Sequence, residues 1–364
     1  MPDNIKFIPG LQLSRLFYRD AVQPILSRHW LGLRYSAGLL GPGSDVQGFD
    51  TAQSMDHDWG PRLWLLLPDE DFDALSAQID EALRAELPLQ VQGFSTHFAG
   101  HADGTRWMQP ISVGPVNHGV KRLPYRKTLS GWLHGDPDQP LRVIDWLTLP
   151  EQILLEVTSG EVFHDDLGLS NLRERLRYYP HEVWLYVLAA QWSRIGQEEA
   201  FVGRCAQVSD ELGSRIVAAR LVRDLMKLSF VLARQYAPYT KWFGAAFARL
   251  EIAVRLQPIL LDVLGAVDWP TRERHLCAAY EMLARVHNTL NITEVGPTQV
   301  TRYYERPFWV IGGGRFAELT CAAIRDPAVL ALPPNMGAID QFVDSTDVLS
   351  NPGMFNRLKT VFEK

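Results

Sequence analysis

Residues 41–62 contain the side chains from which phosphate chemistry can be built. Gly43 and Ser44 form a small turn able to offer backbone N–H groups and a hydroxyl to phosphate oxygens. Asp56 and Asp58 follow after a short polar connection. Read as an extended segment, residues two apart point to one side, so both carboxylates converge while His57 points away. Two hard oxygen ligands suit Mg²⁺, which takes one or two protein carboxylates and fills its shell with phosphate oxygens and water. Arg62, four residues beyond Asp58, has the planar fork to hold a phosphate bidentately, or to pair with a neighbouring carboxylate instead.

Such residues need a strand-and-turn frame, and the surrounding pattern supplies one. Leu11, Leu13, Leu16, Phe17, Val22, Ile25 and Leu26 recur at helical spacing, which predicts an opening helix over 10–29. Tyr35–Leu40 reads as a short strand running into the Gly41-Pro42-Gly43 turn. Leu63–Leu67 is a continuous apolar strand of the kind buried on both faces, and the acidic Asp69-Glu70-Asp71 opens a helix over 69–87. Leu89–Phe98 alternates in part and reads as a further strand. Residues 99–142 are rich in Gly, Pro, His and Lys/Arg and yield no clear element. Beyond about residue 146 the period turns helical, with segments near 181–195, 209–236, 242–266 and 270–290. Pro238 separates the second from the third, and Trp269-Pro270 opens the fourth.

At 364 residues the chain suggests two domains, placed at 1–145 and 146–364. Its 46% hydrophobic content is enough for a sizeable core. A formal charge of −6 gives no general attraction to nucleic acid or anionic membrane, so small-molecule chemistry is favoured over work on polynucleotides. The three cysteines, Cys205, Cys277 and Cys321, lie far apart with no Cys-x-x-Cys pair, which argues against a zinc ribbon or a disulfide scaffold. The first residues lack a signal-peptide core and no apolar run reaches membrane-spanning length, so a cytoplasmic location is expected. Nothing in the sequence sets the oligomeric state.

The combination of Gly43, Ser44, Asp56 and Asp58 ahead of the Leu63–Leu67 strand resembles the nucleotidyltransferase superfold of DNA polymerase β and the aminoglycoside nucleotidyltransferases. More of the chain is similar to the DUF4037 family, through Ser54–Arg62, Leu155–Asp165 and Ala237–Phe243. The resemblance implies an α+β fold, a nucleotidyltransferase-like small mixed sheet with helices followed by an α-helical bundle. It also implies transfer of a nucleoside monophosphate, most simply AMP from ATP or another nucleoside triphosphate, onto a hydroxyl of a small-molecule acceptor. Asp56 and Asp58 would hold Mg²⁺ in that scheme, with Gly43 and Ser44 cradling the phosphates. Arg62 and Lys241 would be secondary phosphate contacts, with Tyr239 or Trp242 stacking on base or sugar. The same superfold usually adds a third carboxylate on a later strand, and Leu89–Phe98 has none. A non-catalytic nucleotide-binding or regulatory protein, or a protein or RNA acceptor, is therefore the alternative.

The remaining motifs read more plainly. In Tyr239-Thr240-Lys241-Trp242 a cation and two aromatics stand at a helix entry, which also describes an ordinary helix corner. Gly312-Gly313-Gly314 follows an apolar run as a phosphate loop would, but lacks a full Gly-x-Gly-x-x-Gly and reads as a turn. His164-Asp165-Asp166 reads as a polar turn, and Asp210-Glu211 as a helix cap.

Overall fold

Ser36–Leu39 (β1) and Arg62–Leu67 (β2) lie at the centre of a four-stranded sheet in the computed structural model, which describes residues 6–363. Two small hairpins follow β2: β3 (Gln90–Val91) with β4 (Phe94–Ser95), then β5 (Phe98–Gly100) with β6 (Arg106–Met108). The outer strands of the sheet are β7 (Gly119–Pro124) and β8 (Glu161–Asp165), giving the order β7-β2-β1-β8. β2 runs parallel to β7, whereas β1 is antiparallel to both of its neighbours, so the sheet is mixed.

The periodicity of β2 explains its position. Leu63, Leu65 and Leu67 point into one core with Ala37, Val120 and the helix residues Ile79 and Leu83. Arg62 and Trp64 alternate onto the other face, where Trp64 stands opposite Gly38 of β1 and Lys121 of β7. Leu65 is fully buried, and truncating such a side chain to Ala typically costs about 3 kcal/mol.

The expected helix over 10–29 forms as Gly10–Phe17 and Gln23–His29 joined by a π-helical stretch over Tyr18–Val22. The Asp69–Glu86 helix forms as read, with three acidic residues in its first turn. The strand expected over Leu89–Phe98 does not form as one element. Gln92 and Gly93 take positive φ (53° and 84°) and fold the segment back on itself as the β3–β4 hairpin.

The chain divides into two compact units. The first joins residues 1–140 to 153–177, and the second joins 141–152 to 178–364. The division therefore differs from a single cut at 145, because residues 161–165 return to the first unit as β8 and pair with β1. In the second unit the helices His181–Glu198, Glu211–Ala233 and Trp269–Thr289 match the expected segments. Asp210 caps the middle one by accepting from Gly213 N–H at 2.7 Å, and Asp268 caps the last. The expected 242–266 helix is two, Thr240–Phe247 and Ala253–Gly265, and the break between them places Leu250 in the core. The class is α+β, with a small mixed sheet in the first unit and a mainly helical second unit. No helix among the described residues is long and apolar enough to cross a membrane.

Candidate functional site

The loop between β1 and β2 is built around a buried ion pair. Arg62 donates from Nε to Asp45 Oδ2 at 3.1 Å and from Nη2 to Asp45 Oδ1 at 2.6 Å, with Asp45 only 1% exposed. This is the bidentate fork that guanidinium geometry favours, so Arg62 takes the neighbouring carboxylate. Gly43, at φ +147°, makes the approach possible. A Cβ there would lie 2.4 Å from Asp45 Oδ1 and 2.5 Å from Arg62 Nη2. Asp50 Oδ2 ties the loop to the opening helix, accepting from Gly10 N–H at 2.7 Å and Trp59 Nε1 at 2.9 Å.

The Asp-x-Asp segment is not extended. Thr51 and Ser54 form a capping box that winds Ala52–Asp56 into a 3₁₀ turn, and Asp58 takes a left-handed φ of 48°. The two-residue alternation expected of a strand does not apply here. Asp56 is exposed and accepts from His57 N–H at 2.9 Å. Asp58 is held against β6: its N–H donates to Arg106 O at 2.6 Å, and its Oδ1 accepts from Arg106 N–H at 3.2 Å.

Asp58, Gly43 and Arg62 line a cleft of about 760 Å³ within the first unit. Five cationic residues line it, Arg62, Arg84, Arg106, Lys121 and Arg122, against the two acidic ones, Asp58 and Asp80. A lining of that sign raises the local concentration of anions. The strand beside β2 is β7, not Leu89–Phe98, and it brings Lys121 and Arg122 where a third carboxylate was sought. Arg122 Nη1 pairs with Asp80 Oδ1 at 2.6 Å, and Lys121 Nζ sits 4.7 Å from the Trp64 ring centre. Arg106 donates from Nη2 to His118 O at 3.0 Å and lies over Phe98.

His118 is buried, and that burial pushes its pKa down to about 4, so the ring is neutral near pH 7. Val120 N–H donates to its Nδ1 at 3.2 Å, which leaves the ring proton on Nε2, facing Asp80 at 3.3 Å.

The Asp56 and Asp58 carboxylates expected to share one Mg²⁺ do not both line the cleft. Asp58 alone of the Asp-x-Asp pair lines the cleft, and no group of three or more His, Cys, Asp or Glu is placed to hold a metal among the described residues.

The other expected positions lie elsewhere. Ser44 is outside the cleft lining, and its carbonyl accepts from Phe49 N–H at 2.7 Å. Tyr239 and Lys241 belong to the second unit. There Tyr239 N–H donates to Gln152 Oε1 at 3.1 Å and Lys241 lies 4.9 Å over the Trp242 ring. At Gly312-Gly313-Gly314 the first two backbone donors are already taken. Glu199, 5% exposed, accepts from Ile311, Gly312 and Gly313 N–H at 2.7, 3.1 and 3.0 Å. His164 and Asp165 close β8 rather than form the polar turn expected, and Asp165 accepts from Ser36 Oγ at 2.7 Å and from Leu169 and Ser170 N–H at the head of the Leu169–Arg175 helix.

Sequence reading missed Asp45, Asp80, Arg84 and Arg106. The four-residue spacing of Asp80 and Arg84 on the 69–86 helix was the visible signal, and Asp45 stood next to the Gly-Ser turn.

Among known proteins, the family described as a domain of unknown function (DUF4037) matches residues 146–243, which bears out that resemblance over this segment. The chain is also similar to the crystal structure of a nucleotidyltransferase-like protein from Exiguobacterium sibiricum. That likeness has 11% identity and a TM-score of 0.31, covers 78% of each chain, and is too weak to carry an argument about chemistry. No curated protein matches the chain.

Proposed function

We propose that the first unit binds a nucleoside triphosphate, most simply ATP, in the cation-lined cleft and transfers its nucleoside monophosphate to a hydroxyl of a small-molecule acceptor. The observation that carries this reading is the cleft itself, where five cationic residues border one space with Asp58 and Asp80. A triphosphate is the common metabolite that matches such a lining. Any Mg²⁺ would come with the substrate, and Asp58 and Asp80 are the carboxylates of the lining that could meet it. In the reaction the acceptor oxygen attacks the α-phosphorus, the bond to the β-phosphate bridge breaks, and pyrophosphate leaves while the hydroxyl proton passes to solvent. The protein's part is positioning and neutralising charge, which do most of the work in phosphoryl chemistry. The positive lining also disfavours a polycationic acceptor.

A second reading is favoured by one observation. β7 carries Lys121 and Arg122 and no acid, so a binding protein that holds the nucleotide without transferring it fits the same geometry. The deciding experiment is a calorimetric titration of ATP, GTP, CTP and UTP with Mg²⁺, followed by a pyrophosphate-release assay across a panel of hydroxylated acceptors. Binding with release supports the transferase. Binding without release on any acceptor favours the second reading, and no binding of any triphosphate overturns both.

A further inference from the structure

Arg84 lines the cleft from the last turn of the Asp69–Glu86 helix and is half-buried. The other four cations of the lining each have a protein group to rest on: Asp45 for Arg62, Asp80 for Arg122, the His118 carbonyl for Arg106 and the Trp64 ring for Lys121. The Arg84 guanidinium has no side-chain partner among the described residues. An obvious partner exists in the sequence. Asp80 stands one helical turn earlier, and an acid four residues before a base ordinarily closes an ion pair along the helix. The fold spends Asp80 elsewhere. Its carboxylate meets Arg122 of β7 at 2.6 Å and His118, just before that strand, at 3.3 Å, so the base of the pair is left with five N–H donors beside an anion-attracting space.

We propose that Arg84 reads the phosphate tail of the ligand. A single phosphate can be met by cations that the protein already holds in place. Each further phosphate adds charge for which Arg84 is the uncommitted donor, and its planar fork matches two oxygens of a terminal phosphate. Arg84 thereby makes the cleft prefer a nucleoside triphosphate to the monophosphate. The inference rests on the reading that the cleft takes a nucleotide, and it adds the residue that counts the phosphates.

The test is calorimetric titration of ATP, ADP, AMP and inorganic tripolyphosphate, with Mg²⁺, into wild type, Arg84→Gln and Arg84→Lys. Arg84→Gln is expected to weaken ATP about 10- to 100-fold and AMP by less than about threefold. Arg84→Lys should recover part of the loss, since lysine restores the charge without the fork. Equal losses on ATP, ADP and AMP, or no loss on any, overturn the proposal. Should Arg84→Gln fail to fold, Arg84→Lys decides: an ATP-to-AMP affinity ratio unchanged from wild type sinks the idea, and a fall of about threefold or more sustains it. If wild type binds tripolyphosphate but no nucleotide, the nucleotide reading fails. The role of Arg84 then stands or falls on whether Arg84→Gln weakens tripolyphosphate. Binding of neither overturns both.

Discussion

Ile311, Gly312 and Gly313 in the second unit aim three backbone N–H groups at one point, as a phosphate loop does, and the carboxylate of Glu199 already occupies it. In the first unit Gly43 of the expected turn lines the cleft without gathering such a set of N–H groups, and Arg84 lines it with its donors uncommitted among the described residues. A sequence pattern reports where donors can gather. Whether they are available to a ligand depends on which other side chain has reached them first, and that partner can be far away in sequence. Glu199 lies more than a hundred residues before its glycines, and Asp45 reaches Arg62 across the β1–β2 loop.

The largest expected effect falls on the cleft. Asp58→Ala should lower nucleotidyl transfer about a thousandfold in a pyrophosphate-release assay. Asp56→Asn measured beside it sharpens the contrast, because an equal loss would mean that the 52–56 turn rearranges to bring Asp56 inward when ligand binds.

Glu199→Ala strips a buried partner from three N–H groups and should destabilise the chain by about 3 kcal/mol in urea, leaving ATP affinity unchanged. No loss of stability would break the comparison, since the glycine loop would then not need its carboxylate.

Acidity tests the same contact. Burial pushes the Glu199 carboxyl from 4.5 up to about 7, against the pull of its N–H donors. The folded value lies above the unfolded one, so the folded state holds the extra proton between the two. Its contribution is therefore complete below about pH 4.5 and is lost as pH rises through about 7, on the order of 3 kcal/mol at most. Glu199→Gln should remove that part of the slope in a pH series of urea midpoints.

Asp45→Asn should weaken ATP about tenfold, because Arg62 loses the fork that sets its direction. A gain in affinity would instead show that Asp45 competes with the ligand for Arg62. The smallest effect is expected for Ser44→Ala, within about twofold in ATP affinity, since Ser44 lies outside the lining. A large loss there would restore the reading in which its hydroxyl meets a phosphate.

The parts of the fold with strong local periodicity were legible. β1, β2, the 69–86 helix and the three long helices of the second unit follow from apolar spacing and capping residues alone. The β3–β4 hairpin was not, because its turn is Gln92-Gly93 and lacks the Asn-Gly or Asp-Gly signal. β8 was missed for a different reason: it is short, partly exposed along its length, and defined by pairing with a strand over a hundred residues earlier. At the site, the sequence placed Gly43, Asp58 and Arg62 on the cleft lining, but the Thr51–Ser54 capping box turned Asp56 away from the geometry an extended strand would have given it. Arg84 sat in an expected helix and Arg106 in a stretch that yielded no clear element, and only tertiary packing brings them to one cleft.

The return of residues 153–177 to the first unit also bears on how this protein can be divided or recombined. A fragment ending at residue 145 would carry β1 without β8, leaving one side of that strand as a bare edge able to pair with another copy. No single cut yields either unit whole. A single crossover in its gene would likewise leave neither unit intact, so the two must be inherited together or exchanged by insertion.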